Sequence, residues 1–133
     1  MTASQLLQTL ASAIQAALPG WRVSPVPLPD PADRQVVLSY GPATATHAQY
    51  VAPAIEEQVR VTMSVRVAPG AYESLVDARD AVVRAVYELY GDLMAAEVEF
   101  LPPANWQAPR VEGSSATQMF WVAEVFLPMR RRL

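Results

Sequence analysis

Cysteine is missing from all 133 residues, and so is lysine, since each of the ten basic residues is an arginine. Without cysteine there is no disulfide framework, no thiolate metal site and no cysteine nucleophile. Histidine occurs once, as His47, which excludes a histidine-based metal cluster. The five glycines are scattered singly, so no glycine-rich loop can cradle a phosphate. No apolar run approaches the length of a membrane span, and the first residues show neither the charged start nor the apolar block of a secretory leader. A protein made in the cytoplasm, without membrane contact, is therefore expected. A basic excess is lacking too: the net charge of -3 speaks against a dedicated nucleic-acid binder.

What the sequence has is apolar substance. Hydrophobic residues make up 52% and run through the whole chain, enough for a core at this length and for one domain over 1–133. Moderate charge and evenly spread apolar residues exclude disorder.

Residues 2–18 predict an amphipathic helix, with Leu6, Leu7, Leu10, Ile14 and Leu18 at helical spacing. Thr2 and Gln5 stand three apart, the spacing of a capping box, and Pro19-Gly20 ends the helix. Its other face carries Gln8, Ser12 and Gln15, polar but uncharged. Residues 21–28 contain two prolines and predict an edge strand or an irregular extended run. Residues 34–40 predict a strand closed by Gly41-Pro42. The segment 43–54 is weakly patterned, either a connecting loop or a poorly marked strand, and in either case forms a long hairpin arm with residues 55–67.

The cleanest signal lies in 55–67. Val59, Val61, Met63, Val65 and Val67 alternate with Gln58, Arg60, Thr62, Ser64 and Arg66, so one face is core and the other is wet or meets a partner. Pro69-Gly70 breaks this strand. A second helix is expected over 71–90, with Leu75, Ala78, Val82, Val86 and Leu89 as its apolar stripe, Asp80 and Arg84 as a surface pair, and Gly91 as C-cap. Residues 96–100 predict a half-buried strand, 102–116 a proline-rich loop, and 117–130 the last strand. In that last strand Trp121, Ala123, Val125 and Leu127 share one face; Phe120, Val122, Glu124 and Phe126 share the other. The expected fold class is α+β in two layers. A mixed, largely antiparallel sheet of four to five strands is covered on one face by two helices.

Few constellations suggest chemistry. Asp30 and Asp33 flank a proline in a polar loop and read as a solvated turn. His47, with Thr44, Thr46 and Tyr50 as neighbours, reads as a surface histidine, and Ser114-Ser115 as a turn. Glu97 and Glu99 share a side of their strand, as Arg60 and Arg66 do of theirs. If those strands are neighbours, cross-strand ion pairing explains all four. The run Arg130, Arg131 and Arg132 is either a solvated charged tail or a contact to phosphate or an acidic partner. Phe120 and Phe126 leave an apolar row on the face that two helices cannot cover, the mark of an interface unless the 102–116 loop folds over it. No catalytic residue, metal ligand or cofactor site is expected, and the chain is not expected to be an enzyme.

In organisation, nearly the whole chain resembles the tail terminator (tail completion) proteins of long-tailed bacteriophages. The resemblance lies in the opening helix ending in Leu18-Pro19-Gly20, the strand Trp21-Arg22-Val23 and the strand with Val36-Val37-Leu38. It continues in the alternating strand 58–67 leading directly into a helix, and in the closing strand Trp121-Val122-Ala123-Glu124-Val125. The proline-rich stretch 102–109 departs from that pattern. The resemblance implies a structural virion protein at the head-proximal end of the tail, forming a ring that is usually a homo-hexamer. Its implied partners are the tail tube protein and a head–tail connector or neck protein, with DNA passing through the lumen without tight binding. Candidate subunit-interface residues are Arg60, Arg66, Glu97, Glu99, Phe120, Phe126, Arg130, Arg131 and Arg132. The competing expectation is a small ferredoxin-like ligand-binding or regulatory α+β module. Oligomeric mass in solution separates the two.

Overall fold

The first helix forms because its orphan amides are satisfied. In the computed structural model, helix α1 (Ala3–Ala17) is preceded by Thr2, whose Oγ1 accepts from the Gln5 N–H at 3.2 Å while the Thr2 N–H donates to Gln5 Oε1 at 2.8 Å. The structure describes residues 1–27, 32–46, 53–101, 105–113 and 118–133, apart from the side chains of Pro42, Thr44 and Thr46. Leu6, Leu10 and Ile14 are fully buried along one stripe of α1. At its end Gln15 does more than face solvent. Its Nε2 donates to the carbonyls of Leu18 (3.1 Å) and Trp21 (2.8 Å), and its Oε1 accepts from the Val23 N–H (3.3 Å). One side chain thus ties the Pro19-Gly20 turn to strand β1 (Arg22–Ser24).

Strand β1 pairs in parallel with β2 (Arg34–Thr46), and β2 pairs antiparallel with β3 (Ala54–Arg66). Gly41-Pro42 does not close β2, as the sequence suggested. The register shifts between Tyr40 and Ala43, and the strand continues past this irregularity to Thr46. Proline is tolerated there because β1 flanks β2 only at residues 35–37, leaving that edge free of ladder bonds to lose. Of the described residues in 43–54, all but Pro53 are therefore strand, Ala43 to Thr46 pairing with Glu57 to Ala54. His47 lies outside the described residues, as do Asp30, Ser114 and Ser115.

Two helices come next. Helix α2 (Ala71–Glu88) starts at Gly70, whose φ of 80° is a left-handed conformation that suits glycine. The helix expected to reach residue 90 breaks at Leu89, and a short α3 (Tyr90–Ala95) begins, with Gly91 inside it rather than capping α2. The break lets Leu93 turn inward, where it is 1% exposed, and α3 packs beside strand β4 (Val98–Phe100). Asp80 sits 3.8 Å from Arg79, not paired with Arg84.

The proline-rich segment expected as a loop contains two further strands, β5 (Asn105–Trp106) and β6 (Arg110–Gly113). Like β4, both pair antiparallel with β7 (Met119–Arg132), the last strand. β4, β5 and β6 form one edge ribbon along β7, and between β5 and β6 it is interrupted at 107–109, a stretch that contains Pro109. The ribbon keeps step through the Leu101 N–H donating to the Pro128 carbonyl (2.8 Å) and the Gln107 N–H to the Glu124 carbonyl (3.0 Å). Proline cannot extend a ladder, so it breaks the edge and blunts it against pairing with another chain.

The sheet order is β1-β2-β3-β7-β4, with β5 and β6 beside β7. The class is α+β, and the described residues form an open, mixed sheet of seven strands and three helices. The expected four to five strands become seven because the outer ribbon is in three pieces, and two helices become three through the break at Leu89. Helices α1 and α2 pack on each other and on one sheet face. That face presents Val36 and Leu38 of β2, Val59, Val61 and Met63 of β3, and Ala123, Val125 and Met129 of β7, each 0% exposed. Tyr72 of α2 closes the margin, edge-on to Trp121 with ring centroids 5.1 Å apart.

Candidate functional site: the open face of the sheet

Strands β3 and β7 pair from Ala54↔Arg132 to Arg66↔Phe120, along the full length of β3. The pleat then decides which side chains face away from the helices. On β3 they are Glu56, Gln58, Arg60, Thr62, Ser64 and Arg66. On β7 they are Phe120, Val122, Glu124, Phe126, Pro128, Arg130 and Arg132. Arg60 stands directly opposite Phe126, and Arg66 opposite Phe120. Each guanidinium lies over its partner's ring, 5.5 Å and 5.4 Å from the centroids. The apolar row expected on this face is present, and it is half-covered by arginine stems and heads from the neighbouring strand. The described part of the segment before β7, residues 105–113, runs beside it in the sheet, not across it.

Ion pairs frame the two Arg–Phe couples. Arg66 Nε donates to Asp33 Oδ1 at 2.7 Å. Arg110 of β6 reaches both Glu112 (2.6 Å) and Glu124 (2.7 Å), and these bonds, Glu124's first, raise the pKa of its guanidinium further. Arg130 holds Glu56 at 2.6 Å and approaches Glu99 at 3.5 Å; the hydrogen bond to Glu56 is the main cause raising its pKa. Arg132 pairs with Glu97. Each of these pairs has at least one partner open to water, where solvent screens the attraction and an ion pair adds little to stability.

The pairing expected between Arg60/Arg66 and Glu97/Glu99 does not occur, because β7 lies between β3 and β4. The arginines of β7 take up both glutamates instead. Arg60 differs from the other arginines of β3 and β7 on this face. It has no ion pair, and its Nε is shielded from solvent without a hydrogen-bond partner. An unsatisfied buried donor costs about 1–3 kcal/mol.

Arg131 belongs elsewhere. The pleat turns it to the helix-covered face, where its Nε meets Glu57 Oε1 at 2.9 Å, with both side chains under 10% exposed (8% and 5%). The bond to Glu57 raises the arginine's pKa. Tyr40 borders this pair and donates from its hydroxyl to the Ala3 carbonyl at 2.8 Å. Burial, then the nearby Glu57 charge, pushes the Tyr40 pKa up to about 12. Sequence reasoning missed this cluster and grouped Arg131 with the surface arginines. The signal was there: Glu57 shares the parity of Val59 and Val61, and Arg131 that of Leu127 and Met129.

One apolar groove, about 250 Å³, lies between Val86, Tyr87 and Tyr90 on one side and Phe100, Leu101, Leu127 and Pro128 on the other. Its lining has no converging charged groups. Among the described residues no three His, Asp or Glu side chains stand close enough together to hold a metal.

Neither a protein-family model nor a curated protein matches the chain. Among solved structures, it is similar to a chain of the "Virion of native gene transfer agent (GTA) particle". The two are 15% identical, the match covers 96% of this chain and 91% of that one, and the TM-score is 0.45. A likeness of that degree carries no functional argument.

Proposed function

We propose that this chain is a structural, non-enzymatic phage tail protein: a tail terminator that closes into a ring, six copies in the expected form, at the head-proximal end of the tail tube. The observation that supports this best is the open sheet face. It presents two phenylalanines, each with an arginine of the neighbouring strand over its ring, one of them the unsatisfied Arg60. Aromatics with arginine are the composition of a protein interface core, while converging polar groups would mark an active site. The order of elements supports it as well, since the helix, the strand with Val36–Leu38, the long strand β3 running into α2, and β7 follow the arrangement on which the resemblance rests. In this role the partners are further copies of the chain, the tube protein and a neck or connector protein. DNA crosses the lumen without tight binding.

The test is sedimentation velocity over rising concentration, with imaging of particles alone and with the tube protein. Rings, or self-association growing with concentration, are expected, together with weak duplex DNA binding that lacks a steep salt dependence. Strictly monomeric behaviour, both concentrated and in the presence of the tube, overturns the reading.

A further inference from the structure

The chain's net charge is not spread over its surface. Helices α2 and α3 carry five carboxylates, Glu73, Asp77, Asp80, Glu88 and Asp92, against two arginines, Arg79 and Arg84, which leaves an excess of three negative charges. That equals the net charge of the whole chain. The remaining eight arginines and eight carboxylates balance, and most of them lie on the sheet. Glu73, Asp77, Glu88 and Asp92 form no ion pair among the described residues. Glu73, Asp77, Asp80 and Arg84 recur three to four residues apart, so they line one outward stripe of α2. Exposed aromatics flank that stripe, Tyr72 at 44% and Tyr87 at 59%. The open sheet face has the complement: Phe120 and Phe126 under arginines, and Arg60 lacking an anion.

We infer that the occupant of the open sheet face is the outer stripe of α2 from a second copy of this chain, so that copies join head to tail. This rests on the ring reading above and adds which two surfaces meet. A carboxylate of the Glu73–Asp77–Asp80 stripe supplies the anion that Arg60 lacks, and the tyrosines lie against the Arg–Phe couples. Stacking two open faces on each other does not achieve this. Among the described residues that face carries no unpaired carboxylate, and a two-fold axis sets two uncompensated Arg60 groups against each other while leaving the acidic helix bare. A contact between two different surfaces is also the kind that closes into rings, whereas a self-complementary contact stops at a dimer.

The absence of cysteine gives a clean test. Thr62 lies on the open face beside Arg60, and Asp77 on the α2 stripe. A chain carrying both Thr62→Cys and Asp77→Cys, treated with a short bis-maleimide, is expected to give a ladder of covalent oligomers ending at the ring size. Each single variant is expected to stay monomeric on a denaturing gel. Arg60→Glu should weaken association by about tenfold or more, and Asp77→Arg in the same chain should restore part of it. Circular dichroism checks that each variant is folded, and Arg60→Gln replaces Arg60→Glu if the latter is not. Dimers from Thr62→Cys alone indicate face-to-face stacking and overturn the inference. So do wild-type rings whose double-cysteine form gives no ladder; the ring reading then survives by itself. If the wild-type chain forms no rings with or without the tube, the ring reading falls and this inference falls with it.

Discussion

The two faces of one sheet use the same residue type in opposite ways. On the helix-covered face a single arginine, Arg131, is buried and spoken for by Glu57. On the open face Arg60, Arg66, Arg110, Arg130 and Arg132 lie on or beside half-exposed apolar surface, and all but Arg60 pair with carboxylates in contacts that reach water. Arg131 and Arg132 are chain neighbours, yet the pleat sends one to each side. Charge itself therefore decides little about stability here. What decides is whether water can replace the partner: it can in the exposed ion pairs of the open face, and it cannot under α1.

The largest effect should come from placing a charge where the covered face has none. Val61→Asp puts a carboxylate at a 0% exposed position with no cation in reach of its register neighbours Leu38 and Val125. Burying an unpaired charge costs more than a domain of this size has in reserve, so loss of the cooperative thermal transition is expected. A soluble Val61→Asp variant melting at the wild-type temperature would show that this face is not the core.

Next comes the direct contrast between neighbours. Arg131→Met leaves Glu57 buried without its cation and should destabilise by about 3–5 kcal/mol in denaturant unfolding. Arg132→Met breaks an exposed pair and should cost about 1 kcal/mol or less. Adding Glu57→Leu to Arg131→Met should recover much of the loss, because two apolar groups then replace the pair. Equal costs for the two single substitutions would erase the distinction between the faces.

A smaller effect sharpens the account of the covered side through pH. The Tyr40 pKa is raised in the fold, to about 12, so the native state keeps its phenol proton after the unfolded chain has begun to lose it. That contribution to stability is complete below the ordinary tyrosine value near 10 and is lost as pH rises through about 12. Tyr40→Phe should flatten this part of the stability–pH curve. It should also cost about 1 kcal/mol at neutral pH through the lost bond to the Ala3 carbonyl. An unchanged alkaline slope would place its origin in another group.

The smallest effect concerns Glu97, where the open-face ion pairs meet the end of α3. Its φ of 64° is left-handed, a conformation that costs a non-glycine residue about 1 kcal/mol or more. Glu97→Gly relieves that strain and loses only the exposed pair with Arg132, so a change between zero and about 1 kcal/mol of added stability is expected from the shift in melting temperature. A clear destabilisation would mean that the Glu97–Arg132 pair is worth more than its exposure implies.

Local pattern was enough wherever an element's own residues settle its state. The capping box at Thr2 and Gln5, the alternation of β3 and the apolar stripe of α1 are each written within a few residues, and each is where it was expected. The prolines of 102–109 misled. Pro109 marks a break in a ladder, but the pieces on either side find their partners in β7, at separations from 21 residues (Asn105↔Phe126) down to 6 (Gly113↔Met119). Gly41-Pro42 misled for the same reason: a proline ends a strand only where a ladder bond is needed, and that depends on the neighbouring strand.

The sequence by itself determined the α+β class, the two-sided character of β3 and β7, and the apolar faces that make one side core, because period two and period 3.6 are set by backbone geometry. It also determined what is absent, since no fold can supply a thiolate or a second imidazole. Only the tertiary structure decided which charges meet. Inserting β7 between β3 and β4 gave Glu97 and Glu99 to Arg132 and Arg130 and left Arg60 over Phe126 without an anion. Ion pairing depends on strand order, a long-range property that no local spacing encodes.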